Sequence, residues 1–553
     1  MLMLQNLDYV AILVYLLLMA FVGVLFGYLV KDSGSYFKGG GAIPWLMAAV
    51  TNFMGLFSTF VFIAYAGIAY EHGIVAMTVL WAFVPACIIG GILAKRWRRV
   101  GRTSPMEYLE TRYSFNVRQT MTWAGLVMRF LDNMVRLYAI GILITAVTPL
   151  SFVWAIVISG LIVTTFNLFG GMWSVSIMST IQFVILILVT IVLLPLSLGE
   201  AGGLSSLAEK MPEHLNWFNG PKGNLFWLGV FYVMSIIKQN ENWTFIQKFY
   251  CVRDERSARN VGLFTALLFL VFIPVFLLPT VVAPLIIPGL ENPEMSYVVL
   301  SAKLLPVGIM GIMFSSLFAS TMSTLNAEFN VMSGVITHDI YLRLFNSNAT
   351  DKQTLRVARI GTVVIGVVIT LGAIAINGTG VFEINKLFSG IMAIPLGIPL
   401  ILGVITKRPA GPAATLTIIL GVLIGVAVNL IPALSWETGT LIEIILCLII
   451  YFFPYPARMS EEKQTELDSF FNQLSTPIQE KDKPVITPQY KRVLSALFIF
   501  SFVVAGVLFC VISLPSLKSL GGEYSFIAGS ACFVLAALLW LIKKPRKTIL
   551  NKH

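Results

Sequence analysis

The stretch that decides the fold is residues 308–341, GIMGIMFSSLFASTMSTLNAEFNVMSGVITHDIY. It is mostly apolar and free of proline, and at 1.5 Å per residue it predicts a helix of roughly 50 Å, longer than the ~30 Å hydrocarbon core of a bilayer. Its first half is unusually polar for a membrane helix. The polar side chains are Ser315, Ser316, Ser320, Thr321, Ser323, Thr324, Asn326 and Glu328.

The hydroxyl groups of this helix have two interpretations. Ser320, Ser323 and Thr324 follow the spacing i, i+3, i+4 and therefore share one helical face. Small hydroxylated residues let membrane helices pack closely and hydrogen-bond to each other. The same hydroxyls, together with helix carbonyls, offer the oxygen ligands that a small hard cation prefers. The hydroxyls alone leave both interpretations open.

Composition identifies an all-α polytopic membrane protein rather than a row of soluble domains. Of 553 residues, 57% are hydrophobic and only 12% charged, whereas a soluble protein is about a quarter charged. Apolar runs long enough to span a membrane predict about fifteen helices. They lie near 9–29, 44–68, 74–94, 121–148, 151–171, 177–197, 224–246, 262–287, 307–340, 357–376, 382–405, 411–432, 439–455, 493–513 and 524–543.

The net charge of +11 is a topology signal. If the N-terminus is outside, nearly all Lys and Arg residues of the loops face inward, including KRWRR at 95–99 and the C-terminal tail. The positive-inside rule then predicts a C-terminus in the cytoplasm. A multi-pass protein of the cell membrane is expected, in the bacterial inner membrane. KRWRR borders a span and is expected to meet anionic lipid head groups rather than nucleic acid.

Two spans carry polar runs at membrane depth. The first is TNFMGLFST at 51–59, and the second is KQNEN at 238–242. A helix that breaks there frees carbonyl groups, which a membrane tolerates only beside a cavity or an ion. Interrupted spans at matching places in two halves of a chain are typical of inverted-repeat transporters. For the first run, a packing glycine at Gly55 and a helix–helix hydrogen bond from Asn52 are the structural alternative.

Ionisable residues within the spans point to a pathway or to ion pairs. Basic residues outnumber the nearby acids in this set, which comprises Arg129, Arg136, Lys238, Lys386, Asp132, Glu241 and Glu383. The surplus favours an anionic solute, a sugar acid such as a sialic acid or another small carboxylate, with Arg136 as the first carboxylate ligand. Internal pairing of all these charges, with a neutral solute, is the alternative.

Several other function classes are disfavoured. The chain has no Walker loop, no GxGxxG motif and no metal-spaced His/Cys cluster, and it has only four histidines. An ATP-driven pump or a membrane enzyme needs such parts. A channel is expected to have rings of charge, and a sensor module needs an attached signalling domain. The predicted driving force is therefore an ion gradient.

Four motifs resemble the sodium:solute symporter family, which includes bacterial sodium/galactose and sialic acid transporters. They are the serine-rich helix ending in THDIY, GRTSPMEYLETRY at 101–113, FGG at 169–171 and FIQKFYCVRDERSARN at 245–260. The likeness covers most of residues 5–455. Ser104 and Glu107 of the second motif also predict the start of a short helix at the inner surface.

The resemblance implies a LeuT-type inverted repeat of five plus five helices. Residues 1–43 form an extra helix and an inward loop, and the two repeats cover 44–200 and 201–405. Residues 406–553 form further helices, with an inward linker at 456–492 among them. The implied coupling ion is Na+, held by the Ser323 and Thr324 hydroxyls and by carbonyls of Ser320, Met54 and Phe57. Partners are sodium, a small solute (a vitamin is another option) and the bilayer, and a monomer is expected to suffice.

Candidate solute contacts are the polar residues at the two breaks and the charges in the spans. They are Asn52, Ser58, Thr59, Asp132, Arg136, Lys238, Glu241, Asn242 and Lys386.

The sequence departs from the family in three places. Ser179 stands where many relatives have an aspartate linked to a second sodium or its exit route, so one sodium is predicted. The lysine and glutamate that hold the sugar in galactose carriers are missing, because the corresponding part of span 262–287 reads LLFLVF. A fifteenth helix adds a span that the galactose carrier lacks.

Overall fold

The computed structural model describes residues 4–27, 39–102, 104–169, 172–376, 381–454, 460–484 and 488–543. Every longer regular element in these ranges is a helix, and the ranges contain no strand. The helices are α1 (Asn6–Gly27), α2 (Trp45–Leu56), α3 (Val61–His72), α4 (Val75–Val100), α5 (Glu107–Arg112), α6 (Phe115–Val147), α7 (Phe152–Phe169), α8 (Met172–Ala201), α9 (Gly203–Lys210), α10 (Leu225–Glu241), α11 (Trp243–Tyr250), α12 (Glu255–Ile286), α13 (Ser296–Leu304), α14 (Ile309–Val335), α15 (Asp351–Ala375), α16 (Val381–Leu402), α17 (Gly411–Asn429), α18 (Trp436–Phe452), α19 (Glu461–Ser475), α20 (Pro488–Ser513) and α21 (Leu520–Lys543).

Nine helices of the described chain are long and apolar enough to cross a membrane, and the bent pair α2–α3 makes up to ten. The helix α14, which lies within the stretch 308–341, is not among them because its polar side chains lower its mean hydropathy. Parts of the predicted 30–43 loop, the FGG turn, the linker and the basic tail lie outside the described residues. The all-helical prediction is confirmed, whereas the count of about fifteen spans stays a prediction.

Both predicted helix breaks are present. The helices α2 and α3 meet at an angle of 58°, with Phe57 and Ser58 outside helical geometry between them. The helix α10 ends at Glu241, and Asn242 caps α11 by accepting a hydrogen bond from the backbone N–H of Phe245 at 3.1 Å. Asn242 therefore both ends one half of the span and starts the next, as its preference for N-cap positions predicts.

Two sets of five helices repeat the same packing. The first set is α2, α4, α6, α7 and α8, and the second is α10, α12, α14, α15 and α16. The helix α2 packs on α12 as α10 packs on α4, and α2 packs on α8 as α10 packs on α16. Likewise α6 packs on α16 as α14 packs on α8, while α4–α12 and α7–α15 are pairs of equivalent helices in contact. Such paired contacts are typical of two related five-helix units. The arrangement brings the two breaks beside α14 and α6.

The N-terminal helix α1 fixes the start of α14. The buried Asp8 carboxylate accepts hydrogen bonds from the backbone N–H groups of Gly308 and Gly311, at 2.6 and 2.8 Å. A Cβ on Gly311 would lie 2.4 Å from the Asp8 carbonyl oxygen, so only glycine allows this approach. The negative charge also suits the positive end of the α14 helix dipole.

We expect Asp8→Ala to destabilise the protein by about 2 kcal/mol, because two buried N–H groups of α14 lose their acceptor. The fall in melting temperature of the detergent-solubilised protein measures this effect. Glu461→Ala, which removes an exposed acid from the first turn of α19, is the matched control and should leave the melting temperature nearly unchanged. Equal melting temperatures for the two variants would show that the cap contributes nothing.

The prediction of an exposed linker at 456–492 is wrong for its central part. Residues Glu461–Ser475 form α19, which buries Leu467, Phe470 and Leu474. The ammonium of Lys463 donates to the carbonyl groups of Glu110 and Thr111 at the end of α5, and Arg99 of α4 caps the last turn of α19. The apolar residues recur at i, i+3 and i+7, which is the pattern of an amphipathic helix that its many charges concealed.

Candidate functional site

The break between α2 and α3 is tied to α14 by hydroxyl groups. The backbone N–H of Thr59 donates to the Thr321 hydroxyl, and the Thr59 hydroxyl donates to the Leu317 carbonyl, both at 2.7 Å. The Thr324 hydroxyl donates to the Met54 carbonyl at 3.0 Å. The polar face predicted from the spacing of α14 therefore lies directly against the broken helix.

The residues predicted to hold sodium gather at this contact. The Thr324 hydroxyl lies 3.1 Å from the Ser320 carbonyl as well as 3.0 Å from that of Met54, and Phe57 is the first residue beyond the end of α2. The Ser323 hydroxyl lies 2.5 Å from the Ser179 hydroxyl of α8. All are buried, and the donor set consists of neutral hydroxyl and carbonyl oxygens, which suits a small hard monovalent cation.

A cavity lies on the other side of the same break. Residues of α6, α10 and α16 form its wall together with the break itself, where Leu56 and Ser58 flank Phe57. Several of the predicted solute contacts line it, namely Ser58, Arg136, Lys238, Asn242 and Lys386. The remaining predicted contacts lie outside the wall, namely Asn52, Thr59, Asp132 and Glu241.

Each of the residues outside the wall has another partner. Asn52 donates to the Thr265 hydroxyl of α12 at 3.2 Å, so the helix–helix alternative given for it is present in the structure. Thr59 faces α14. Asp132 and Glu241 stand behind the cavity wall among buried charges. Their predicted role as direct solute contacts has no support from this geometry.

We name these buried charges the charge cluster. Its members are Arg129, Asp132, Arg136, Lys238, Glu241 and Glu328. Arg129, which is fully buried, forms an ion pair with Glu241 and lies 3.9 Å from Asp132. The three cluster residues on α6 are Arg129, Asp132 and Arg136, and their spacing of three and four residues places them on one face of the helix.

The other members of the cluster reach the cavity. Arg136 lies 3.9 Å from Asp132 and 3.6 Å from Glu328, and 12% of its side chain is exposed. Lys238 lies 3.5 Å from Asp132 and is 21% exposed. Its ammonium also donates to the Asn385 side-chain oxygen at 3.1 Å and to the Ser389 hydroxyl.

The prediction of a surplus of positive charge in the cavity is wrong. The count left out Glu328 of α14, which the fold places beside Arg136. With it, three basic and three acidic side chains balance within the charge cluster, and the remaining cation of the cavity, Lys386, pairs with Glu383. The argument from charge surplus for an anionic solute therefore loses its basis.

Sequence reasoning also missed part of the cavity wall. Asn385 and Ser389 lie one turn apart on α16 and hold Lys238. Aromatic side chains from four helices form much of the remaining wall, namely Phe60, Tyr65, Phe83, Phe231 and Phe382. Asn385 stands next to Lys386 in the sequence FEINK at 382–386, so its polarity at membrane depth could have indicated its place in the wall. The aromatic residues gave none, because such residues are common in every apolar span.

The motifs GRTSPMEYLETRY and THDIY meet on the side of the bundle predicted to face inward. The Arg118 guanidinium bridges Asp339 and Glu110 at 2.7 and 2.8 Å, and Ser104 donates to Asp339. Arg343 also donates to Glu110. The hydrogen bond from Arg343, which has the larger effect, and that from Arg118 lower the pKa of Glu110 to about 2. The predicted short helix is present as α5.

Known proteins are similar to this chain in sequence and in fold. The model of the sodium:solute symporter family matches residues 36–421. The chain is 23% identical to the sodium/sialic acid symporter NanT of Aliivibrio fischeri, over 84% of this chain and 95% of that one. It is 21% identical to the sodium/glucose cotransporter of Vibrio parahaemolyticus, over 73% and 80% of the two chains.

Among solved structures, the fold is similar to that of a Na+-coupled sialic acid symporter in a substrate-bound outward-open state. The TM-score is 0.72 at 21% identity, and the match covers 82% of this chain and 99% of the other. The family model, over residues 36–421, includes both breaks, α14 and the charge cluster, and it matches well over half of the sequence. The chain belongs to the sodium:solute symporter family.

Proposed function

We propose that this sodium-coupled symporter imports a small, neutral, hydroxyl-rich solute of the sugar class by alternating access. The single observation that carries the proposal is the balance of charges behind the cavity wall. A neutral solute leaves that balance intact, whereas an anion adds a net negative charge at membrane depth, where uncompensated charge is expensive.

The shape and chemistry of the wall support a sugar-like solute. Lys238, Asn242 and Asn385 contribute hydrogen-bond donors and acceptors to the wall of the cavity. Tyr65 and Phe231 contribute aromatic rings to the same wall. Sugar rings have both hydroxyl edges and apolar C–H faces, so polar anchors beside aromatic walls suit them. The named relatives include a sodium/glucose cotransporter, whose solute is a neutral sugar, and a sodium/sialic acid symporter, whose solute is a sugar acid.

Coupling follows from the shared break. In the proposed sodium site, Met54 and Phe57 supply carbonyl oxygens to an ion that Ser323 and Thr324 also ligate. Leu56 and Ser58, on either side of Phe57, belong to the solute cavity. An ion that fixes this backbone therefore preorganises the cavity wall, and a solute that fixes the wall preorganises the ion ligands. Each ligand raises the affinity for the other, as linkage requires.

A sugar acid is the second candidate, as the sequence analysis favoured. The observation in its favour is that Arg136 and Lys238 keep part of their side chains exposed to the cavity. A bidentate hydrogen bond from Arg136 would hold a carboxylate, at the expense of its contact with Glu328.

Competition against sodium-driven uptake distinguishes the two candidates. We expect neutral hexoses or inositol to compete strongly and carboxylated sugars weakly. Arg136→Gln should then reduce affinity for a neutral sugar and for its acid by similar factors. Strong competition by sugar acids alone, together with a selective loss of their affinity in Arg136→Gln, would reject the neutral solute.

The stoichiometry is expected to be one sodium per solute. Ser179 supplies a neutral hydroxyl that is already engaged with the Val175 carbonyl and Ser323, where a carboxylate would add charge for a second ion. The reversal potential of transport at different sodium gradients measures the ratio. A ratio of two would show that other oxygens replace the missing carboxylate. Ser179→Asp is the complementary variant, and we expect it to strengthen sodium binding.

The remaining proposals concern topology. We infer an N-terminus outside and a C-terminus in the cytoplasm of a bacterial inner membrane, about fifteen spans, repeats at 44–200 and 201–405, and function as a monomer. The charge asymmetry of the loops supports the orientation, and the repeated helix packing supports the two units. In this orientation the solute cavity lies in the outer half of the bundle.

A further inference from the structure

A carboxyl group is buried among α16, α17 and α18, away from the solute cavity. Glu443 of α18 has no exposed surface, and neither of its carboxyl oxygens has a hydrogen-bond partner among the described residues. No basic side chain of the described chain lies within ion-pair distance of it. An ionised carboxylate in such a setting is strongly disfavoured, because nothing replaces the water it has lost.

A free backbone acceptor lies beside this carboxyl group. Pro395 has no N–H, so the carbonyl of Ile391, one turn earlier in α16, lacks its helical donor. A Cβ added to Gly425 of α17 would lie 2.8 Å from Glu443 Oε1 and 3.0 Å from the Ile391 carbonyl oxygen. Both oxygens therefore lie close to the same glycine from different helices, so the carboxyl group and the carbonyl group are neighbours where the three helices meet.

The neighbouring helices offer no other charge to compensate Glu443. The helix α17 contains no titratable residue, and Cys447 is the titratable side chain that faces Glu443 from its own helix. Other titratable residues on α10, α16 and α18 have partners elsewhere, namely Tyr232, Lys238, Glu241, Glu383, Lys386 and Tyr451. Glu437 lies nearly two turns away from Glu443, towards the start of α18, about 9 Å along the helix axis.

We propose that Glu443 is a proton-binding site, and that its protonated carboxyl group donates a hydrogen bond to the Ile391 carbonyl that Pro395 leaves free. The two carboxyl oxygens and the one carbonyl oxygen are too few for a metal ion, because hard cations take about six oxygen ligands. The same helix α16 carries Asn385 and Ser389, which hold Lys238 at the solute cavity. Loss of the proton places a negative charge against the α16 carbonyl and displaces the helix that positions the solute.

Infrared difference spectroscopy of the purified full-length protein tests the site without any solute. We expect the wild type to show the C=O stretching band of a protonated carboxyl group at neutral pH, and Glu443→Gln to lack it. Glu437→Gln, the same change on the same helix, should retain the band. If the band is absent from the wild type, or persists in Glu443→Gln, the proposal is overturned. If Glu443→Gln folds poorly, the C=O band of the wild type is followed as the pH is raised. A band that does not disappear at alkaline pH contradicts the proposal.

Uptake measurements test the consequence for α16. The glutamine side chain imitates the protonated acid, so Glu443→Gln should transport as well as the wild type at neutral pH and be less sensitive to alkaline pH. Glu443→Ala, which removes the hydrogen bond, should lose at least half of the uptake. Equal losses in both variants at neutral pH would overturn the role of the proton, whichever solute is carried.

Discussion

Sodium-driven uptake is expected to collapse when Ser323 and Thr324 are both replaced by alanine. The double variant removes the two hydroxyl oxygens of the proposed ion site and leaves only backbone carbonyls such as those of Ser320 and Met54. A hydrogen bond or ligand to a charged group contributes about 1.5–3 kcal/mol. Two lost ligands therefore reduce sodium affinity by about a hundredfold or more. The sodium concentration for half-maximal uptake in proteoliposomes measures the loss.

The same helix provides the control. Ser315 and Ser316 donate to carbonyls of their own helix, those of Gly311 and Ile312, each at 2.8 Å. Their joint replacement by alanine removes as many hydroxyl groups from α14 without touching the break between α2 and α3. We expect it to leave sodium dependence unchanged. Full sodium dependence in the Ser323/Thr324 variant would remove the site from this position.

The second large effect is expected in the charge cluster. Glu241→Gln leaves Arg129 fully buried without its ion-pair partner, with Asp132 still 3.9 Å away. Breaking one side of a buried pair destabilises a protein by about 3–5 kcal/mol, because the remaining charge stays unpaired. The melting temperature in detergent should fall markedly, and transport should be lost with it.

Two further variants separate pairing from general damage. Glu480→Gln breaks the exposed pair with Arg253 and should hardly change the melting temperature, because solvent screens such pairs. Arg129→Met combined with Glu241→Met removes both charges, and we expect this double variant to be more stable than Glu241→Gln alone. A single variant as stable as the wild type would mean that the pair is not needed to keep Arg129 buried.

Local chemistry made the two breaks and the hydroxyl face of α14 predictable from the sequence. Asn242 is a strong N-cap residue inside an apolar span, and the polar run around Phe57 at membrane depth favours a second break. The spacing of Ser320, Ser323 and Thr324 defines a face within a single helix, so no knowledge of the tertiary structure is needed. The structure brings that face against the first break.

Long-range partners were not predictable in the same way. Glu328 balances the charge of Arg136 only because two distant helices cross, and the sequence contains no local sign of that contact. The aromatic wall was hidden for another reason, since Phe231 and Tyr65 resemble any other apolar residue of a span. The docking of α19 depends on partners such as Arg99, which lies far away in the chain.

Accumulation of labelled solute in proteoliposomes under an imposed sodium gradient tests the central claim most directly. The panel consists of hexoses, inositol and sialic acid, with an equal potassium gradient and a clamped membrane potential as the reference condition. The account predicts that an inward sodium gradient drives a neutral member of the panel above its external concentration, and that the potassium gradient does not. Equal uptake under the two gradients by every solute of the panel would contradict it.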